Sequence, residues 1–220
     1  MEFFTKSRLD TARFMIASRL RGFSVSGRPQ LGEDGTRYFE DRLGSCKFYL
    51  EYGSGGSTVL AAGLGLPFIP VENDTWFRRS VLRKFGDFRS DQVLLHADTG
   101  FTGKWGIPVV KDSSPARLRR WRDYAEMPWA AAARREQFPD LILIDGRFRV
   151  LCALVSLRQL GGHAGTEIIV DDYAGRPHYE MIARVTPLVR MVGRTAVIRS
   201  GDVDVEALER GIGDSNADYR

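Results

Sequence analysis

Residues 49–58 read YLEYGSGGST, a strand-like lead-in followed by Gly53, Gly55 and Gly56 with hydroxyl side chains between and after them. Glycine at that density means that φ goes positive or that something approaches the main chain closely. A strand running through such a turn into a helix is the phosphate- or nucleoside-binding unit of open α/β sheets. Their ligands sit outside the carboxyl ends of the strands. The turn therefore has to be read together with the sheet around it.

The flanking periodicity predicts that sheet. KFYLEY (47–52) reads as a strand and STVLAAGLG (57–65) as a helix stopped by glycine. PFIPVE (67–72) is a second strand, DTWFRRSVLRKFGD (74–87) a helix opened by a capping aspartate, and QVLLHAD (92–98) a third strand. After a glycine- and proline-rich loop, residues 115–137 read as a polar helix. DLILID (140–145) is almost wholly apolar, as a strand covered on both faces is. RVLCALVSLRQLGG (149–162) is a helix, TEIIVDD (166–172) a strand, PHYEMIARVTPLV (177–189) the last helix and RTAVIRSG (194–201) the last strand. Strands separated by helices imply parallel βαβ units in an open, doubly wound sheet. Residues 1–45 are expected as helix and loop packed on the core, 46–200 as the core domain, and 201–220 as a partly flexible tail.

With 220 residues and 43% apolar composition, the chain is long enough for one domain with a sizeable core. The net charge of +4 is spread over both signs along the chain, which reads as a solvated surface rather than a nucleic-acid footprint. The basic run RLRRWR (117–122) reads likewise, as a solvated helix face with Trp121 packed down. No apolar run reaches about 18 residues, so no membrane span is expected. The opening MEFFTKSRLDTARF threads charges through its apolar residues, unlike a signal peptide. Cys46 and Cys152 sit in apolar stretches and read as buried free thiols of a cytoplasmic protein.

Three turn chemistries compete at YLEYGSGGST. A phosphate-cradling P-loop needs a lysine next to Ser or Thr after its last glycine, and the turn has no lysine. A dinucleotide fingerprint would put its third glycine at Thr58. What remains is Glu51, Gly53, Gly55 and Ser57 in the pattern E-x-G-x-G-x-(G/S).

LEYGSGGST followed by VEND resembles the first two motifs of class I S-adenosylmethionine-dependent methyltransferases. The resemblance runs over roughly 47–199, and TG-x-WG-x-P after the third strand is similar to uncharacterised bacterial methyltransferase-like proteins. It implies a Rossmann-like, mostly parallel seven-stranded sheet with helices on both faces. It also implies that Glu51, Tyr52, Gly53, Ser54, Gly55 and Ser57 wrap the methionine part of S-adenosylmethionine. Glu72, beside Asn73, would then hold the ribose diol, since a carboxylate accepts two hydrogen bonds from adjacent hydroxyls. Asp98 is the candidate near the adenine, with His96 or Thr99 as alternatives. Ser57 stands where the family commonly has its last glycine.

The resemblance also places Asp145 under the reacting methyl, and Asp171 and Asp172 at the neighbouring strand end. Asp145, Arg147 and Asp171 are the catalytic candidates, a carboxylate being able to take the proton of an oxygen or nitrogen acceptor. Three converging carboxylates repel unless hydrogen-bonded or neutralised. Either Arg147 or, as in catechol-type relatives, a divalent cation at Asp145, Asp171 and Asp172 would do so. FTGKWGIP (101–108) reads as a lid with Trp105 over a substrate, or as a structural loop. His178 is a lesser candidate, and His163 a turn residue. The expected function is methyl transfer to a small-molecule acceptor. The alternatives are a cofactor-binding protein without catalysis and a nucleic-acid-modifying protein; IDGRF, in place of the tetrapeptide of base-methylating members, speaks against the last.

Overall fold

Strand residues of one face alternate with those of the other, and here both faces are apolar. Phe48, Leu50, Tyr52, Ile142, Ile144, Ile168 and Val170 are buried in one cluster, while Tyr49, Leu141, Leu143 and Ile169 are buried in another. A sheet with two apolar faces is stable only when both are covered. In a computed structural model that describes residues 2–219, they are.

The elements are α1 (Glu2–Arg21), α2 (Gly32–Gly44), β1 (Tyr49–Tyr52), α3 (Gly56–Gly63), β2 (Phe68–Glu72), α4 (Thr75–Phe85) and β3 (Leu95–His96). There follow α5 (Pro115–Ala132), β4 (Leu141–Ile144), α6 (Arg149–Leu160), β5 (Glu167–Val170), α7 (Glu180–Val185), β6 (Leu188–Val192), β7 (Thr195–Arg199) and α8 (Val205–Ser215). The seven strands lie in the order β3-β2-β1-β4-β5-β7-β6. The first five are parallel; β7 runs antiparallel to β5, and β6 antiparallel to β7. The order reverses between β1 and β4, which is where an open α/β sheet leaves a crevice.

One face packs against α5, α6, α7 and α8 through Trp121, Tyr124, Leu151, Val155, Ile182 and Leu208. The other packs against α2 and α3 through Phe39, Leu43 and Ala61. Tyr52 is fully buried, yet its hydroxyl is satisfied: it donates to the Ala125 carbonyl (2.7 Å) and accepts from Trp129 Nε1 (2.9 Å). Neither thiol is in a disulfide; both Cys46 and Cys152 are buried.

Two expectations are corrected. The helix read over 177–189 breaks up into a 3-10 turn at Pro177–Tyr179, α7, and the strand β6. Thr186 is extended (φ −151°), because a residue before proline is pushed out of the helical region, and Pro187 cannot continue the helix. The segment read as a loose tail forms α8. Asp204 caps it, accepting a hydrogen bond from the Ala207 amide (2.9 Å), and Leu208 and Ile212, one turn apart, are buried in the core. β3 is also shorter than expected, two residues of the seven. Among the described residues no helix is long and apolar enough to cross a membrane.

Candidate functional site

The parallel register brings four loop-entry residues to one edge. The Gly53 amide donates to the Val71 carbonyl, Asp145 to Tyr52, Asp171 to Ile144 and Ala97 to Glu72, each at 2.9–3.1 Å. The turn after β1 and the acids closing β2, β4 and β5 therefore face one crevice.

Part of the glycine freedom serves the protein itself. Gly53 has φ +100°, and a Cβ there would stand 3.0 Å from Gly146 Cα. A Cβ on Gly146 would overlap the Tyr124 hydroxyl. The pair lets the turns after β1 and β4 touch. At Gly56 a Cβ would overlap the Arg28 carbonyl, so it is the chain ahead of α2 that approaches here. Gly55 differs: its φ is +157°, and the nearest atom to a Cβ would be Phe77 Cζ at 3.9 Å. That is the open side of the turn.

Glu51 was expected at the cofactor, but its carboxylate turns inward beneath α3. Ser57 donates to one oxygen and Thr58 Oγ1 (2.7 Å) to the other, and the residue is almost fully buried. Ser57 thus fills the family's glycine position as a brace. Tyr52 likewise has its side chain in the core, leaving only its backbone at the turn. Burial raises the Glu51 carboxyl to about 8, against the pull of the two hydroxyls. Because this pKa is above the unfolded value, the native state holds the extra proton between about pH 4.5 and 8, and stability falls as pH rises through that window. Thermal unfolding from pH 5 to 8 should show a declining melting temperature, with a shallower decline in Glu51→Gln.

Glu72 closes β2 and is held in place. Oε1 accepts from the Asn73 and Asp74 amides (both 2.9 Å), and Oε2 accepts from Ser54 Oγ (2.7 Å). The carboxylate therefore points at the glycine turn, and a hydroxyl already occupies the side that would receive a diol. Burial raises it to about 7, opposed by the hydrogen bonds. Asn73 is turned the other way, donating to Thr99 Oγ1 (2.9 Å) and to the Gly106 carbonyl (2.8 Å). It ties down the 101–108 loop, in which Trp105 takes φ +63° and is 70% exposed. Asp98 faces solvent, 3.2 Å from Arg120, while Thr99 is the buried residue of that strand end. Trp121 is buried, its Nε1 donating to the Thr99 carbonyl (3.3 Å). A cavity of about 670 Å³ opens from here, lined by Asn73, Asp74, His96, Asp98 and Thr99 and by Met15 of α1.

The strand-end acids are neutralised by arginine, but Arg147 is not the one. Arg149, on the first turn of α6, lies 3.0 Å from Asp145 Oδ1, 3.5 Å from Asp172 and 3.8 Å from Asp171, and donates to the Asp145, Gly146 and Asp171 carbonyls. Arg194 binds both oxygens of Asp171 (3.0 and 2.8 Å), and Arg176 binds Asp172 (2.7 Å). Burial still raises the Asp145 carboxyl; Arg149 opposes and Asp171 reinforces the shift. No group of three metal-ligating side chains occurs among the described residues, so the divalent-cation expectation finds no support. Arg149 was missed because two arginines flank Phe148, and only its left-handed φ (+55°) decides which turns back over the acids.

The seven-stranded, mostly parallel sheet with helices is a fold shared with a solved methyltransferase-like protein. A methyltransferase-like protein from Silicibacter pomeroyi, solved by crystallography, superposes on 88% of the chain and all of its own length, with 29% identity and a TM-score of 0.66. The fold and this likeness support a methyltransferase-like family for the chain. A 16S rRNA N2 methyltransferase from T. thermophilus, solved with AdoMet and guanosine, aligns with 80% of the chain and 42% of its own at 12% identity and a TM-score of 0.34, too slight a likeness to argue from. No protein-family model and no curated protein matches the chain.

Proposed function

We propose that the chain binds S-adenosylmethionine over the β1 turn and transfers its methyl group to an oxygen or nitrogen of a small-molecule acceptor. The observation that carries this reading is Glu72: a carboxylate with Oε1 fixed by two backbone amides and Oε2 turned to the glycine turn, where the Ser54 hydroxyl holds it. A ribose diol fits that position, its hydroxyls replacing Ser54 Oγ. The open side of Gly55 leaves room against the turn for the methionine part. Asn73, Asp98 and Thr99 line the cavity at the adenine end.

When bound, the cofactor supplies a methyl already activated by positive sulfur. The chain's own task is to hold the acceptor in line and to exclude water. Asp145 is placed to take the acceptor's proton: its carboxyl is raised by burial, and Arg149 fixes its Oδ1. Calorimetric titration with S-adenosylhomocysteine tests the reading. The expected result is 1:1 binding with Kd in the micromolar range, about −8 kcal/mol. Folded protein that binds neither this nor S-adenosylmethionine overturns it.

A further inference from the structure

Four arginines gather where β4 and β5 end, and three of them meet carboxylates: Arg149, Arg176 and Arg194. Arg147 makes no ion pair and no side-chain hydrogen bond among the described residues, and its Nε is shielded from solvent without a partner. It follows Asp145 by two positions, on the turn that leads into α6. Its electrostatic neighbours are Arg149, Tyr124, Tyr179 and Asp145. Tyr179 is itself fully buried with a hydroxyl that has no partner. The buried Tyr124 hydroxyl has no partner either, so Arg147 and both of its tyrosine neighbours carry an unsatisfied polar group.

A guanidinium with a shielded, unpaired Nε and no salt-bridge partner is relieved by an acid or by a ligand. Nearby acids are available here and are spent on the other three arginines. We infer that Arg147, with Tyr179 as an electrostatic neighbour, receives an oxyanion of the acceptor, a carboxylate or a phosphate on a small molecule. This rests on the methyltransferase reading for the word acceptor, but not for the anion site. The guanidinium would make a charge-assisted pair with two parallel bonds. Held there, the acceptor's nucleophile faces Asp145, at the end of β4 where the methyl is expected. Burial, followed by the charge of Arg149, lowers the Arg147 pKa, while Tyr124, Tyr179 and Asp145 oppose the shift.

The test is thermal unfolding of the full chain in a low-salt, anion-poor buffer, with sodium acetate and sodium phosphate as probes and sodium chloride at equal ionic strength as the reference. Acetate or phosphate at tenfold its Kd should raise the melting temperature of the unmodified protein by about 3 °C above chloride. Arg147→Gln should lose that increment, and Arg147→Lys should keep part of it. An acetate response identifies a carboxylate acceptor, and a phosphate response a phosphorylated one. In the anion-poor buffer Arg147→Gln should melt no lower than the parent, since it removes an unpaired charge. The inference is overturned if neither probe exceeds chloride, if parent and Arg147→Gln respond alike, or if Arg147→Gln melts several degrees lower. Titration with S-adenosylhomocysteine in parallel separates the two readings. An anion response without cofactor binding leaves the site standing while the transferase reading fails, and the reverse result does the opposite.

Discussion

Glu72→Ala is expected to weaken S-adenosylhomocysteine binding roughly 100-fold. A carboxylate facing a diol makes two charge-assisted hydrogen bonds, each worth about 1.5–3 kcal/mol, and about 1.4 kcal/mol corresponds to tenfold in Kd. The loss is reduced because Ser54 gives up its bond to Oε2 when the diol enters. Ser54→Ala is the contrasting variant. It deprives Oε2 of its partner in the free protein and should leave affinity the same or higher. Calorimetry of both variants checks the assignment. Equal affinity in Glu72→Ala and the parent would mean that the carboxylate serves the turn alone. Glu72→Ala also strands the Asn73 and Asp74 amides, so its folded fraction has to be measured alongside.

The second large effect is on stability. Arg149→Met removes a guanidinium that lies within 4 Å of Asp145, Asp171 and Asp172, and it strands three carbonyls as well. Breaking a buried pair from one side typically costs about 3–5 kcal/mol, because the remaining charge stays buried. For a chain of this size that is a fall in melting temperature of about 10 °C. Differential scanning calorimetry measures it. Adding Asp145→Asn should recover part of the loss, since one stranded charge is then neutral. A drop of less than about 2 °C would show that Arg176 and Arg194 suffice for the acids.

How much of this was readable beforehand depended on what the pattern encodes. β1, β2, β4 and β5 were legible because their apolar runs are doubly buried, and each is bounded by a glycine or an acid. The β6 strand was hidden inside a helix-like run: LVRMV lies at the sheet edge, with Val189 and Met191 half exposed, and carries no clean alternation. Within the site, the apolar runs located the strand ends at which Glu72 and Asp145 stand. Spacing does not encode which way a side chain leaves a loop. Glu51 therefore turned inward, Asp98 outward, and the acid partner proved to be Arg149 rather than Arg147. Each outcome was settled by local geometry: two hydroxyls under α3, an ion pair with Arg120, and the left-handed Phe148.

The absent Cβ at Gly56 ties the turn to a distant part of the chain. Residues 28–30 lie on it, held by the Arg28–Glu40 pair (2.7 Å) and by Arg194, which donates to the Gln30 carbonyl (2.7 Å) and grips Asp171 with the same side chain. The roof of the crevice and its floor are thereby coupled through one guanidinium. Any occupant that tightens the β1 bend thus also tightens the strap ahead of α2, and loosening the strap must weaken the occupant by the same free energy.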